Sequence, residues 1–304
     1  MTSVVEMGHE TEAGSEKRAM IASSGFREQA NRLWRSGCLS LSSRPVAEET
    51  AIALTYGGST HAVMMATPAD LEDFAVGFSL TEGIIERADE IESIEIVESV
   101  LGVEARMWLA AQRADRLVRR RRATIGPVGC GLCGIESLEQ AGRGPRRVRT
   151  TTKFQARELL AAMRALAPEQ HLNRQTRAVH AAAFWQASSG IGPVREDVGR
   201  HNALDKLAGA LTAAGRSALN GAVLLTSRVS VELVQKTAMI GAPVLIAVSA
   251  PTTLAIRTAD AAGVTLIAIA RDDGYEVFTH PDRIVFPAEM RERSPGRPRS
   301  TRVA

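Results

Sequence analysis

The chain has 304 residues, with 37 Lys and Arg against 34 Asp and Glu, a net charge of +3. That length suits one large core or two modest ones, and so small a charge gives no electrostatic reason to expect nucleic acid. No apolar run reaches the about 18 residues of a membrane span, the first 25 residues lack the apolar centre of a secretory signal, and an odd set of three cysteines excludes a disulfide framework. A cytoplasmic protein away from membranes and nucleic acid is expected.

Residues 1–43 read as a flexible polar arm, 44–125 as a small α+β subdomain, 126–290 as a larger α/β domain, and 291–304 (RERSPGRPRSTRVA) as a basic flexible tail. Cys38 stands alone in the arm and carries no chemical signal. AIALTYGGSTHAVMMAT (51–67) predicts a hairpin turning at Gly57-Gly58. Thr67 is then a candidate N-cap with Pro68 at the first helical position, before the apolar face of Leu71, Phe74, Ala75, Phe78 and Leu80, with Gly83 at the end. Strands are expected at 91–97 and 101–109, and a helix at 155–166 that stops before Pro168. From 202 the pattern alternates. Helices at 202–214, 229–240 and 252–262 separate apolar strands at 221–227, 243–249 and 264–270, and YEVFT (275–279) adds an antiparallel strand. This order implies a mostly parallel sheet with right-handed crossovers.

Polar residues gather where these strands end: Ser227 and Arg228, then Ser249 and Pro251, then Arg271, Asp272, Asp273 and Gly274. Open parallel sheets bind ligands at that edge, where helix N-termini favour phosphate. The same residues also serve as ordinary caps and turns. Cys130 and Cys133 lie in a Gly-rich GCGLCG segment (129–134), a spacing open to thiol–disulfide exchange, metal binding or persulfide carriage. Zinc needs four ligands, and a second Cys pair is absent. Arginines flank the pair: Arg113, Arg116 and Arg119 to Arg122 before it, Arg143, Arg146, Arg147 and Arg149 after it. They suit phosphate, or a solvated surface. In REDVGRHNALDKLAG (195–209), a solvated helix start explains Asp205 and Lys206, and explains His201 less well.

Several of these stretches resemble the FdhD family of formate dehydrogenase accessory proteins: MMATPADLEDFAVGFSLTEGII (64–85), GCGLCG (129–134), EDVGRHNALDK (196–206), SRVSVELVQKTAM (227–239), VSAPTTLAIRTAD (248–260) and THPDRI (279–284). The resemblance spans about 45–287. It implies a three-layer α/β fold similar to cytidine deaminases. It also implies a sulfurtransferase that takes sulfur from a cysteine desulfurase as a Cys persulfide. The sulfur goes to the molybdenum bis-(molybdopterin guanine dinucleotide) cofactor, bound as a client, before that cofactor enters formate dehydrogenase. Cys130 would carry the sulfur with Cys133 as helper. The cofactor would meet Ile269, Ala270, Arg271, Asp272, Asp273 and Gly274, with Ser227, Arg228, Ser249, His180 and His201 alongside. A homodimer is expected, and no permanently bound metal. A cofactor chaperone without covalent sulfur chemistry is the alternative. A zinc deaminase is excluded because His180-Ala181-Ala182 lacks the catalytic Glu and the Cys pair precedes the His. One departure stands out: Arg177 occupies a position where the family has Gly.

Overall fold

The computed structural model describes residues 25–114, 117 and 145–287. Part of the expected arm is ordered strand. β1 (Phe26–Arg35) and β2 (Cys38–Ala47) pair antiparallel over their whole length. Their turn at Ser36-Gly37 has positive φ at both residues, as a two-residue hairpin turn with the right twist requires. Cys38 lies exposed beside that turn.

β3 (Thr50–Tyr56) and β4 (Ser59–Ala66) form the hairpin expected around Gly57-Gly58. With β5 (Ile91–Ser99) and β6 (Gly102–Leu109) they make a four-stranded sheet of order β4-β3-β6-β5. Helix α1 (Leu71–Thr81) covers it, and Phe74 and Phe78 pack with Ile52, Leu54 and Met107. Each such fully buried side chain contributes roughly 1.5–3 kcal/mol. The helix begins later than Thr67-Pro68 suggested, because Asp70 takes a left-handed N-cap conformation. Thr67 is wholly buried and is used elsewhere.

The rest of the chain builds a six-stranded sheet. In chain order the elements are β7 (Phe154–Gln155), α2 (Ala156–Leu166), α3 (His171–Thr176), β8 (His180–Gln186), β9 (Gly190–Asp197) and α4 (Arg200–Ala213). Then follow β10 (Ala222–Leu225), α5 (Val231–Met239), β11 (Val244–Ala247), α6 (Thr253–Ala262), β12 (Thr265–Arg271), β13 (Gly274–Val277) and β14 (Ile284–Val285). Sheet order is β13-β12-β11-β10-β8-β9. β10, β11 and β12 are the parallel centre, with antiparallel strands on both flanks. The all-apolar runs Ala222–Leu225 and Val244–Ala247 are buried throughout, as a strand covered on both faces must be. Helices α4, α5 and α6 pack one face through Leu204, Leu233 and Ala259, and α2 packs the other through Leu159 and Met163. The result is three layers. No helix among the described residues is long and apolar enough to cross a membrane.

The two lobes meet where α1 crosses α4. A Cβ on Gly77 would lie 1.7 Å from the Asp205 carbonyl oxygen, and one on Gly209 would lie 2.0 Å from that of Asp73. Glycine at both positions lets the two backbones touch.

The described arginines of the basic runs are largely structural. Arg113 is buried between Glu86 and Glu90, at 2.7 and 2.6 Å. Arg146 donates to Met239 O and Arg147 to Ala261 O, capping the carboxyl ends of α5 and α6. Arg116, Arg119 to Arg122 and Arg143 lie outside the described residues.

Candidate functional site

The stretch 196–206 was expected to be partly a solvated helix start. The structure overturns that for Asp205 and Lys206, because burial and pairing decide their placement. Lys206 and Asp197 are both fully buried, with Nζ 2.7 Å from Oδ2. Lys206 also donates to Thr67 O at 2.8 Å, while Asp197 accepts from Thr67 N, Gly199 N and the Asn202 side-chain amide. Asn202 reaches Met65 O as well. Asp205 accepts from the Thr81 hydroxyl at 2.6 Å and pairs with Lys236, which also meets Glu82 at 2.7 Å. Burial pulls the Lys236 ammonium down, but the carboxylates of Asp205 and Glu82 outweigh it and hold it above its ordinary value. Burial pushes the Asp205 carboxyl up against the pull of Lys236. A charge this deep is tolerated only when paired and hydrogen-bonded. These two clusters fix the start of α4 against α1.

That start lies at the carboxyl edge of the parallel strands. β8 begins there and β9 ends there, since Ala182 pairs with Leu225 and His180 with Asp197. Thr226 ties β10 to β8 through Ala181. His201 Nε2 lies 3.3 Å from Ser230 Oγ and 3.9 Å from Glu232. Burial, then Arg200, pushes the His201 imidazole down to about 4, so the ring is neutral at pH 7. Burial and Arg200 also lower His180, against the carboxylate of Asp197. Burial raises the Glu232 carboxyl, but bonds from Ser230 and from its own backbone N–H, with His201 and Arg200 nearby, hold it below its usual range.

Of the residues picked out from sequence, Ser249 and Ile269 are brought together by a backbone hydrogen bond, and the other described ones line the same edge of the sheet. Ser227 is buried and its hydroxyl is turned to Arg228 O, while Arg228 itself is exposed. Ile269 N donates to Ser249 O at 3.3 Å, joining the ends of β11 and β12. Ile269 has φ +52° at a bulge in β12, a strained conformation for a β-branched residue. Such strain concentrates at ligand-binding edges. Ala270 is buried in the core beside α2. Arg271, Asp272 and Asp273 are exposed in the β12–β13 turn, closed by the pairing of Arg271 with Gly274, and Arg164 reaches Asp272 O. Cys130 and Cys133 lie outside the described residues. Arg200 belongs to the polar loop-to-helix junction legible in the sequence at 195–209, but the cofactor contacts expected there included His201 and not Arg200.

Arg177, the departure noted in the sequence, caps α3 with φ +59°, in the left-handed region that favours glycine. THPDRI serves the opposite edge. The Thr279 hydroxyl bridges Val264 and Leu266, and Arg283 binds Pro243 O and Thr265.

A family model described as FdhD/NarQ matches residues 47–285. Proteins called "Sulfur carrier protein FdhD" are similar: that of Agrobacterium fabrum is 55% identical over 262 residues, 86% of this chain and 97% of its own. That of Cupriavidus necator is 51% identical over 257 residues, 84% of this chain and 89% of its own. A crystal structure from Desulfotalea psychrophila, described as a formate dehydrogenase accessory protein, superposes with a TM-score of 0.66 at 27% identity, covering 86% of this chain and 99% of that one. The matched span takes in both lobes, the α1–α4 crossing and the whole carboxyl edge, and on this ground the chain belongs to the FdhD/NarQ family.

Proposed function

We propose that this protein is a cytoplasmic sulfurtransferase in formate dehydrogenase maturation. Cys130 takes sulfur as a persulfide from a cysteine desulfurase and delivers it to the molybdenum bis-(molybdopterin guanine dinucleotide) cofactor held at the carboxyl edge. The observation that carries this reading is the 55% identity to a relative named as a sulfur carrier, combined with a Cys pair in a chain whose third cysteine is an exposed residue of the hairpin. In the first step the Cys130 thiolate attacks the sulfane sulfur of the donor persulfide. A new S–S bond forms, and the donor's cysteine leaves as thiolate. In the second, Cys133 attacks Cys130 Sγ, so that the outer sulfur leaves as sulfide toward the metal and a Cys130–Cys133 disulfide closes. The cofactor is cargo in this scheme. Its guanine nucleotide portion lies over Ser227, Arg228, Ser249 and Ile269 to Gly274, with His180 and His201 beside it. We infer also that the working unit is a homodimer.

Mass spectrometry after incubation with a cysteine desulfurase and cysteine tests the reading. A gain of one sulfur on the peptide containing 129–134 is expected. A folded chain that gains none, yet binds GDP, acts instead as a cofactor chaperone without covalent chemistry. Cys130→Ala is expected to stay folded and to abolish formate dehydrogenase activity in cells that depend on it.

A further inference from the structure

Arg200 stands out among the shielded cations of the described residues. The others are partnered. Arg113, Arg195, Lys206 and Lys236 meet carboxylates at 2.6 to 2.7 Å. Arg106 meets Glu104, and Arg216 and Arg283 meet neutral oxygens. Arg200 is half-buried and makes no hydrogen bond or ion pair among the described residues, and its buried Nε has no acceptor. A buried donor left unsatisfied is costly, and more so when it carries charge. Folded proteins retain such a group where something else satisfies it.

The surroundings say what that partner is. Asp197 is already neutralised by Lys206. Glu232 rests against His201 at 3.9 Å and accepts from Ser230, and forms no ion pair with Arg200 among the described residues. His180 and His201 are half-buried rings near enough to feel the charge of Arg200. Arg200 is also the first residue of α4. The N-cap is Gly199, which has no side chain to cap the helix, and the first internal bond is donated by Ala203 to Gly199 O at 3.0 Å. The amides of Arg200, His201 and Asn202 precede that bond. One guanidinium, a helix amino end and two imidazoles are the kinds of donor that suit a multidentate oxyanion.

We propose that Arg200 is the anion-binding residue of the carboxyl edge and receives a phosphate group of the ligand. This rests on the reading of that edge as a nucleotide-binding site and adds a residue and a chemistry to it.

The test is calorimetric titration of the full chain at low salt with GDP, guanosine and inorganic pyrophosphate, comparing wild type, Arg200→Gln and Arg200→Lys. Arg200→Gln is expected to weaken GDP and pyrophosphate by about tenfold or more, the value of one charged hydrogen bond. Guanosine should be unaffected, and Arg200→Lys should fall between the two. The melting temperature of Arg200→Gln should equal or exceed that of wild type, because a half-buried cation without an ion-pair partner has been removed. Wild-type affinity in Arg200→Gln, an equal loss of guanosine, or a lowered melting temperature that accounts for the loss would each overturn the proposal. Pyrophosphate binding that depends on Arg200 in a chain indifferent to GDP would keep the phosphate site and remove the guanine nucleotide. GDP binding indifferent to Arg200 would do the reverse, and a wild-type chain that binds no phosphate probe sinks both.

Discussion

Lys206→Met should destabilise the protein by about 3 kcal/mol. Removing one partner of a buried ion pair costs about 3–5 kcal/mol, because the other charge is left behind. Here the abandoned group is Asp197, fully buried, which keeps three donors: Thr67 N, Gly199 N and the Asn202 amide. The cost therefore falls at the low end. Asp197→Asn is the harsher change, since Lys206 then loses its carboxylate and keeps Thr67 O and the Phe74 ring face, 6.0 Å away; about 4–5 kcal/mol is expected. For a chain of this size each kcal/mol moves the melting temperature by about 2–4 °C, so Lys206→Met should melt about 6–12 °C lower. The double variant should be less damaged than the sum of the singles, by about 2 kcal/mol or more. Thermal melts of the four proteins by circular dichroism decide it. A Lys206→Met melt within about 2 °C of wild type, or strict additivity, would refute the argument that this pair locks the lobes.

Other substitutions probe different links. Gly77→Ala gains about 1 kcal/mol of helix propensity, yet its Cβ would meet Asp205 O at 1.7 Å, so a net loss of several kcal/mol is expected in denaturant titration; a gain would show that α1 and α4 do not touch here. Arg177→Gly relieves a left-handed φ of +59° and should raise stability by about 1 kcal/mol, read as a melting temperature about 2–4 °C higher. His201 has a folded value of about 4 against an ordinary 6.5, so the unfolded chain takes up its proton first as pH falls. The stability it contributes is present above pH 6.5 and is lost between 6.5 and 4. With the side chain 31% exposed, about 1–2 kcal/mol is expected after discounting for solvent, and His201→Gln should flatten that part of a melting-temperature profile between pH 7 and 4.

The parallel centre was legible because its signals are local. Ala222–Leu225 and Val244–Ala247 are unbroken apolar runs, and Gly263 closes α6 with φ +69°. The antiparallel strand expected at 275–279 is present as β13, but the antiparallel flank of β8 and β9 was not legible. HAAAFWQ (180–186) carries three alanines, and GIGPVRED (190–197) holds Pro193, which a strand tolerates at an edge, and β9 is the edge of its sheet. The β1–β2 ribbon was read as arm because its residues are mostly exposed, so no core-facing alternation marks it. Thr67 misled for another reason. It looks like a helix cap, but its amide, carbonyl and hydroxyl serve Asp197, Lys206 and Val198, about 130 residues away in sequence. Pairings of that range leave no periodic trace. The arginine runs misled in the same way: charge density is visible in sequence, whereas the Met239 and Ala261 carbonyls that receive Arg146 and Arg147 are not.

The eleven residues 196–206 owe their density of polar groups to doing several jobs at one helix start. Glu196 accepts from Leu172 N and Asn173 N and so holds the start of α3. Asn202, Asp205, Lys206 and, just beyond the stretch, Gly209 fall three or four residues apart, which puts them on one face of α4, the face toward α1. Leu204, together with Leu207 and Leu211 farther along α4, faces the sheet. Arg200 and His201 belong to neither set. They sit at the amino end, where a helix exposes its donors and where β8, β10 and α5 converge. Changes at 202, 205, 206 and 209 should therefore register first as lost stability, and changes at 200 and 201 first as lost ligand binding. The lobe junction and the sheet edge are coupled through the backbone between Asp197 and Asn202. Loosening Asp197 from Gly199 N should displace Arg200 even though the two side chains make no hydrogen bond or ion pair with each other.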